Sequence, residues 1–157
     1  MPHVAIEAVI MAPLLILQIL MFPLVASTMT SYWADASRQV ALQDAANQLA
    51  SVIQQLYLSL NRKEVLNGTI TWASTLPKEV ASYPYTAEGS LQTSLESNSS
   101  KILTLHLTLQ RTGNTATASV TFGPNVLWNT SVFSSASSSA SIEVQKFADG
   151  TLRFSFK

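Results

Sequence analysis

Cysteine is missing from this chain, which excludes disulfides, zinc–thiolate sites and thiol nucleophiles. Histidine occurs only at His3 and His106, too few and too far apart in sequence for a histidine-based metal site. Glycine is scarce: there are five, none before Gly68, and none forms a phosphate-binding loop. Charge is scarce too, at 11% of residues against roughly 25% in an ordinary soluble domain. Nine basic and nine acidic side chains balance, so no strong field favours nucleic acid or anionic lipid, and no nucleic-acid partner is expected. His106 has no carboxylate signature near it in the sequence, and the many serines join no catalytic pattern. The expectation is a non-enzyme without cofactor or metal.

What the chain has in excess is one apolar run, Val4–Val25, VAIEAVIMAPLLILQILMFPLV. It carries one ionisable side chain (Glu7), one amide (Gln18) and two prolines (Pro13 and Pro23), and no ionised residue follows until Asp35. As a helix, these residues cover roughly 33 Å at 1.5 Å each, enough for a bilayer core of about 30 Å. Each proline removes a helical N–H, so bends or local unwinding are expected there. A spanning helix tolerates this when neighbours repair the backbone. The apolar character runs round the whole circumference, unlike the one-sided stripe of a helix at the edge of a globular core.

From Ala26 the composition becomes small and polar, with Tyr32 and Trp33 at the level of an aromatic belt. Amphipathic helix follows: Leu42, Ala45, Ala46, Leu49, Val52, Ile53, Leu56, Tyr57 and Leu60 share one stripe. No proline interrupts residues 24–76, so helix is predicted from about residue 4 to 60. So long a helix calls for partner helices. Asn61-Arg62-Lys63 closes it with basic side chains at its negative end.

Beyond Asn67-Gly68 the period changes to two. Thr69–Trp72 reads as a short strand, and Leu76–Tyr85 as a connection into another. Leu103–Leu109 alternates cleanly, Arg111–Asn114 forms a hairpin loop, and Thr115–Phe122 returns with Ala116, Ala118, Val120 and Phe122 inward. Val126–Phe133 is one further strand candidate, and Ser134–Ser141 reads as a Ser/Ala linker or the exposed face of a strand. The terminal hairpin pairs Ile142–Gln145 with Leu152–Phe156 across Ala148-Asp149-Gly150. His106 is read as a surface residue, Asp149 as a turn residue, and Trp72 and Trp128 as core or subunit contacts. The fold class is therefore α+β: a long N-terminal hydrophobic helix, then an antiparallel sandwich or barrel-like head of five to seven strands. Its parts are residues 1–61, divided into a hydrophobic half 4–25 and an amphipathic half 26–61, and a β-rich head 62–157. Sequons at Asn67, Asn98 and Asn129 all lie on one side of the apolar run and point to an extracytoplasmic head carrying N-linked sugars.

An apolar helix continuing into an amphipathic half and then a β-rich head resembles the type IV pilin superfamily, and its Ser/Thr/Asn-rich head looks most like the archaeal branch. Leu76–Val80 leading to Tyr83-Pro84-Tyr85 is similar to a turn-and-strand region of archaeal pilin-like proteins. The stretch Ile6-Glu7-Ala8-Val9-Ile10-Met11-Ala12-Pro13-Leu14-Leu15 is similar to the start of TadE-type pilin-like proteins. Counted from His3, Glu7 is the fifth residue and matches the family's acidic position. The family's basic leader is not visible ahead of Val4, and the glycine-rich start of archaeal flagellins is absent, which favours an adhesive pilus over a rotary filament.

The resemblance implies a subunit held in the cytoplasmic membrane as a precursor, cut by a prepilin peptidase and assembled by a pilus ATPase and platform. The product is an extracellular homopolymer on the cell surface. Assembly is expected to involve Glu7, Pro13, Gln18 and Pro23 with Leu49, Ile53 and Leu56. In that scheme Glu7 is neutralised by a neighbouring subunit's N-terminal amine, or else lies at the membrane edge among headgroups. The rival reading is a membrane-anchored extracellular binding protein with a β-sandwich domain, for which a long amphipathic half is unnecessary.

Overall fold

The computed structural model describes residues 3–73, 76–93 and 100–157. Among the described residues the fold is α+β, with one long helix, α1 (His3–Leu60), followed by eight strands in two four-stranded sheets. The compact units are Met1–Ser37 and Arg38–Lys157. Their boundary thus falls inside α1, whereas the change of period places it near residue 61.

In the first unit the backbone stays helical through Pro13 and Pro23, so the expected unwinding is not found. The hydroxyls of Thr28, Thr30 and Ser31 turn back onto the carbonyls of Val25, Ala26 and Ser27. That satisfies each O–H within its own helix and lowers the cost of placing it among apolar neighbours.

In the second unit, residues 38–60 contain no glycine or proline and are rich in Ala, Leu and Gln, all favourable to helix. The strands are β1 (Gly68–Ala73), β2 (Tyr85–Thr93), β3 (Lys101–Leu109), β4 (Thr115–Phe122), β5 (Val126–Trp128), β6 (Val132–Ser134), β7 (Ser141–Lys146) and β8 (Leu152–Phe156). One sheet has the order β1-β7-β8-β5 and the other β4-β3-β2-β6. Among the described residues all strand pairings are antiparallel except β5 with β8. The expected single strand Val126–Phe133 is two short strands in different sheets. The chain crosses between them at Asn129-Thr130-Ser131, where Asn129 N–H reaches Phe154 O and Ser131 Oγ accepts from Phe156 N–H.

The helical stripe and both inner sheet faces close into one core. Tyr57 tilts onto Phe122 at 4.9 Å, and Phe122 stacks on Phe154 at 5.5 Å, so these three rings link the helix to both sheets. Between β2 and β5, Gly89 lets the Trp128 indole lie against the strand; a Cβ there would stand 2.3 Å from Trp128 Cζ2. The Ser134–Ser141 stretch is not a free linker. Ser135 is buried, its Oγ accepts from Tyr85 N–H at 2.8 Å and its own N–H reaches Tyr85 O. At the last hairpin Gly150 takes φ 83°, and Thr151 N–H donates to Asp149 Oδ1. That backbone bond holds the Asp149 carboxyl below its usual range.

Candidate assembly surfaces

The apolar half of α1 is the first candidate surface. Every large apolar side chain from Met11 to Val25 is at least half exposed, with Phe22 at 76%. Leaving eleven such side chains in water costs on the order of 10–20 kcal/mol relative to burying them, comparable with the whole stability of a domain. The helix is long and apolar enough to cross a membrane, with a mean hydropathy of 1.9 over an 18-residue window. Pro13, Gln18 and Pro23 all lie on this exposed half. Gln18 and Pro23 line a shallow apolar notch with Ile19, Met21, Phe22 and Val25. Pro23 cannot donate to the carbonyl of Ile19. The Glu7 side chain lies outside the described residues.

The second half of the helix behaves otherwise. Leu49 and Ile53 are fully buried against the chain's own sheets, and Leu56 packs partly against the same core. The expectation that this stripe calls for partner helices is corrected: the β-head is its partner. A helical wheel shows that a stripe must be covered, not by what. The carbonyls at the end of α1 are met by Lys146, from β7, whose Nζ donates to Leu60 O at 2.8 Å and Arg62 O at 2.6 Å. The cation that docks is neither Arg62 nor Lys63, next to the helix in sequence, but one that lies 84 residues beyond Arg62.

The four sheet edges form the third set of surfaces. Edge strand β4 is covered by the helix: Gln39 Nε2 donates to Thr115 O at 2.6 Å and Gln43 Nε2 to Thr117 O at 2.8 Å. The match is metric. Four helical residues advance about 6.0 Å and two strand residues about 6.8 Å, so glutamines at i and i+4 meet alternate carbonyls. β5 and β6 are three-residue edges. β1 is a six-residue edge, GTITWA, with neither charge nor proline, and Ile70 is 44% exposed.

Asn67 and Asn129 are both exposed, as an N-linked sugar requires, while Asn98 lies outside the described residues. His106 is exposed in the middle of β3, as expected, but the register sets Glu88 opposite it on β2 and Thr117 opposite it on β4. The carboxylate neighbour that the sequence hides thus exists, in an open face where such a pair has little energetic weight. Among the described residues no three metal-ligating side chains gather. Trp128 is half-buried in the core, and Trp72 sits at its margin on β1. Three buried polar atoms, Tyr85 Oη, Thr112 Oγ1 and Trp128 Nε1, find no hydrogen-bond partner among the described residues. Burial pushes the Tyr85 phenol up to about 12. No family model, curated protein or solved structure matches the chain.

Proposed function

We propose that this chain is the structural subunit of an extracellular helical filament of the archaeal type IV pilus kind, serving surface adhesion. The observation that supports it is the exposed apolar helix of residues 11–25, on a chain whose head already has a complete core. A surface of that kind has to be covered by lipid or by protein. In the membrane the helix keeps its backbone bonds internal. In a filament, copies of the same helix replace the lipid. Head-to-tail contacts that do not close then propagate as an open helix. Because Leu49 and Ile53 are enclosed by their own head, the packing between subunits falls to residues 4–25, the Ser/Thr segment after them and outer surfaces of the heads. Glu7 sets axial register by pairing with a neighbour's terminal amine, since an unpaired carboxylate in an apolar core is costly. The extracellular location, the prepilin peptidase and the assembly ATPase and platform belong to this reading, as do sugars on the sequons.

The second reading, a membrane-anchored extracellular binding protein, gains from the same core. A long amphipathic helix half is no longer diagnostic of a polymer, because the head itself uses it. Electron microscopy of material sheared from cells expressing the chain separates the two. Thin filaments containing it support the first reading, and recovery only as detergent-soluble monomer refutes it. Glu7→Leu is expected to leave membrane insertion intact and abolish filament yield; a normal yield would remove the register role.

A further inference from the structure

The outward-facing edge of β1 points to a contact between two copies of this chain, and we propose that β1 pairs antiparallel with β1 of a second copy about a twofold axis at Thr71. The direction of its free backbone groups follows from the ladder. Ser141 and Lys157 exchange both N–H···O bonds, so alternate residues 141, 143 and 145 bond towards β8. Residues 142, 144 and 146 therefore bond towards β1, where they face Trp72, Ile70 and Gly68. That leaves the N–H and C=O groups of Thr69, Thr71 and Ala73 aimed away from the sheet.

A twofold pairing that sets Thr71 against its copy also sets Thr69 against Ala73. All three outward residues then exchange bonds, six in total, each pair with Cα atoms about 5.5 Å apart. A shift of one residue, with Ile70 on the axis, pairs only two of the three within the strand. The same register brings Ile70 opposite the copy's Trp72, twice, in the close non-hydrogen-bonded positions where β-branched and aromatic side chains pair well. Both residues lie on the core-facing side, opposite Val144 and Ile142, and both are incompletely covered in the single chain. β1 has no charge, so a copy meets no repulsion. Exposed edges are normally blunted by charge, proline, shortness or cover. Here glutamines cover β4 and shortness limits β5 and β6; among the described residues, β1 alone of the four edges has none of these devices.

The strand is about 20 Å long, so this ladder buries several hundred Å², below the roughly 1,200 Å² of a stable interface. The contact is transient in dilute solution. It is isologous, unlike the head-to-tail contacts of a filament, so it does not rest on the filament reading; between filaments it would act as a lateral joint.

Because the protein has no cysteine, a single substitution reports the contact. Full-length Thr71→Cys in detergent, under mild oxidant, is expected to form a disulfide dimer. The spacing on the axis lies within disulfide range. The rate should exceed that of Ser90→Cys, on the exposed face of the other sheet, at least about tenfold, because paired thiols have a raised effective concentration. Adding Ile70→Lys to Thr71→Cys should bring the rate down to the Ser90→Cys level, with the far-ultraviolet spectrum unchanged. Equal rates for Thr71→Cys and Ser90→Cys would overturn the proposal, as would a Thr71→Cys dimer that survives Ile70→Lys.

Discussion

Replacing Gly89 by alanine tests how the two sheets are fitted together. A Cβ at this position would stand 2.3, 2.4 and 2.8 Å from Trp128 Cζ2, Cε2 and Nε1. Carbon atoms in contact prefer about 3.5–4.0 Å, so the indole must retreat by more than 1 Å or β2 must bend. Trp128 has little room to retreat, because it stands edge-on to Phe156 at 5.0 Å, and Phe156 in turn packs on Phe133 at 5.5 Å. Overpacking of this kind costs about 1–3 kcal/mol. Against it, alanine in a strand gains about 0.5–1 kcal/mol over glycine through reduced backbone entropy. The net expectation is a loss of about 1–2 kcal/mol, or roughly 3–8 °C in Tm for a domain of this size.

Urea titration of the full chain in detergent, followed by tryptophan emission, measures it. Gly68→Ala serves as the internal control, since nothing lies within 4 Å of a Cβ there and its φ is not positive. That variant should be neutral or gain a few tenths of a kcal/mol. Trp128→Leu should erase the penalty of Gly89→Ala in the double variant, giving a coupling of at least about 1 kcal/mol. A Gly89→Ala protein as stable as wild type, with unshifted emission, would refute the packing described between β2 and β5.

Two further outcomes follow from a buried phenol and a half-buried ammonium. With the Tyr85 phenol at about 12 in the folded chain and near the ordinary phenol value of about 10 in the unfolded one, both states are neutral below pH 10. Between pH 10 and 12 only the unfolded state loses the proton, so stability falls as pH rises, by on the order of 3 kcal/mol in all. Tyr85→Phe should cost less than about 1 kcal/mol at pH 7, because the lost hydroxyl has no partner among the described residues, and should remove most of that decline. Denaturant titrations of both proteins at pH 8 and 11 give the comparison, and an identical decline would contradict the assignment. Lys146→Met keeps the apolar stem but removes the ammonium from the Leu60 and Arg62 carbonyls, for an expected loss of about 1–2 kcal/mol by the same assay. A loss as large in Lys63→Met would show that the helix end is held by its sequence neighbours instead.

Several elements could be read from residue order because their causes are local. Leucines at 103, 105, 107 and 109 face one way by the period of two, and Asp149-Gly150 makes a turn because glycine accepts a positive φ. The helix from residue 3 to 60 follows from composition and the absence of breakers between Pro23 and Pro77. β2 was harder: Tyr85–Thr93 holds Gly89 at its centre and alternates poorly, since that glycine faces a tryptophan from another sheet. Val126–Phe133 looked like one strand because nothing in its apolar content tells two sheets apart.

Of the candidate surfaces, the apolar run at residues 4–25 was determined by sequence alone, since no arrangement of this head changes the need to cover it. Leu49 and Ile53 are the opposite case. Their spacing requires burial, but only the tertiary structure decides that the chain's own sheets provide it. The guard of Gln39 and Gln43 on β4, the reach of Lys146 to the helix end and the bare edge of β1 were likewise invisible in the linear chain. Each depends on which strand ends at an edge and what lies beside it. Residue order sets period and polarity; adjacency between segments dozens of residues apart is settled only when the whole chain packs.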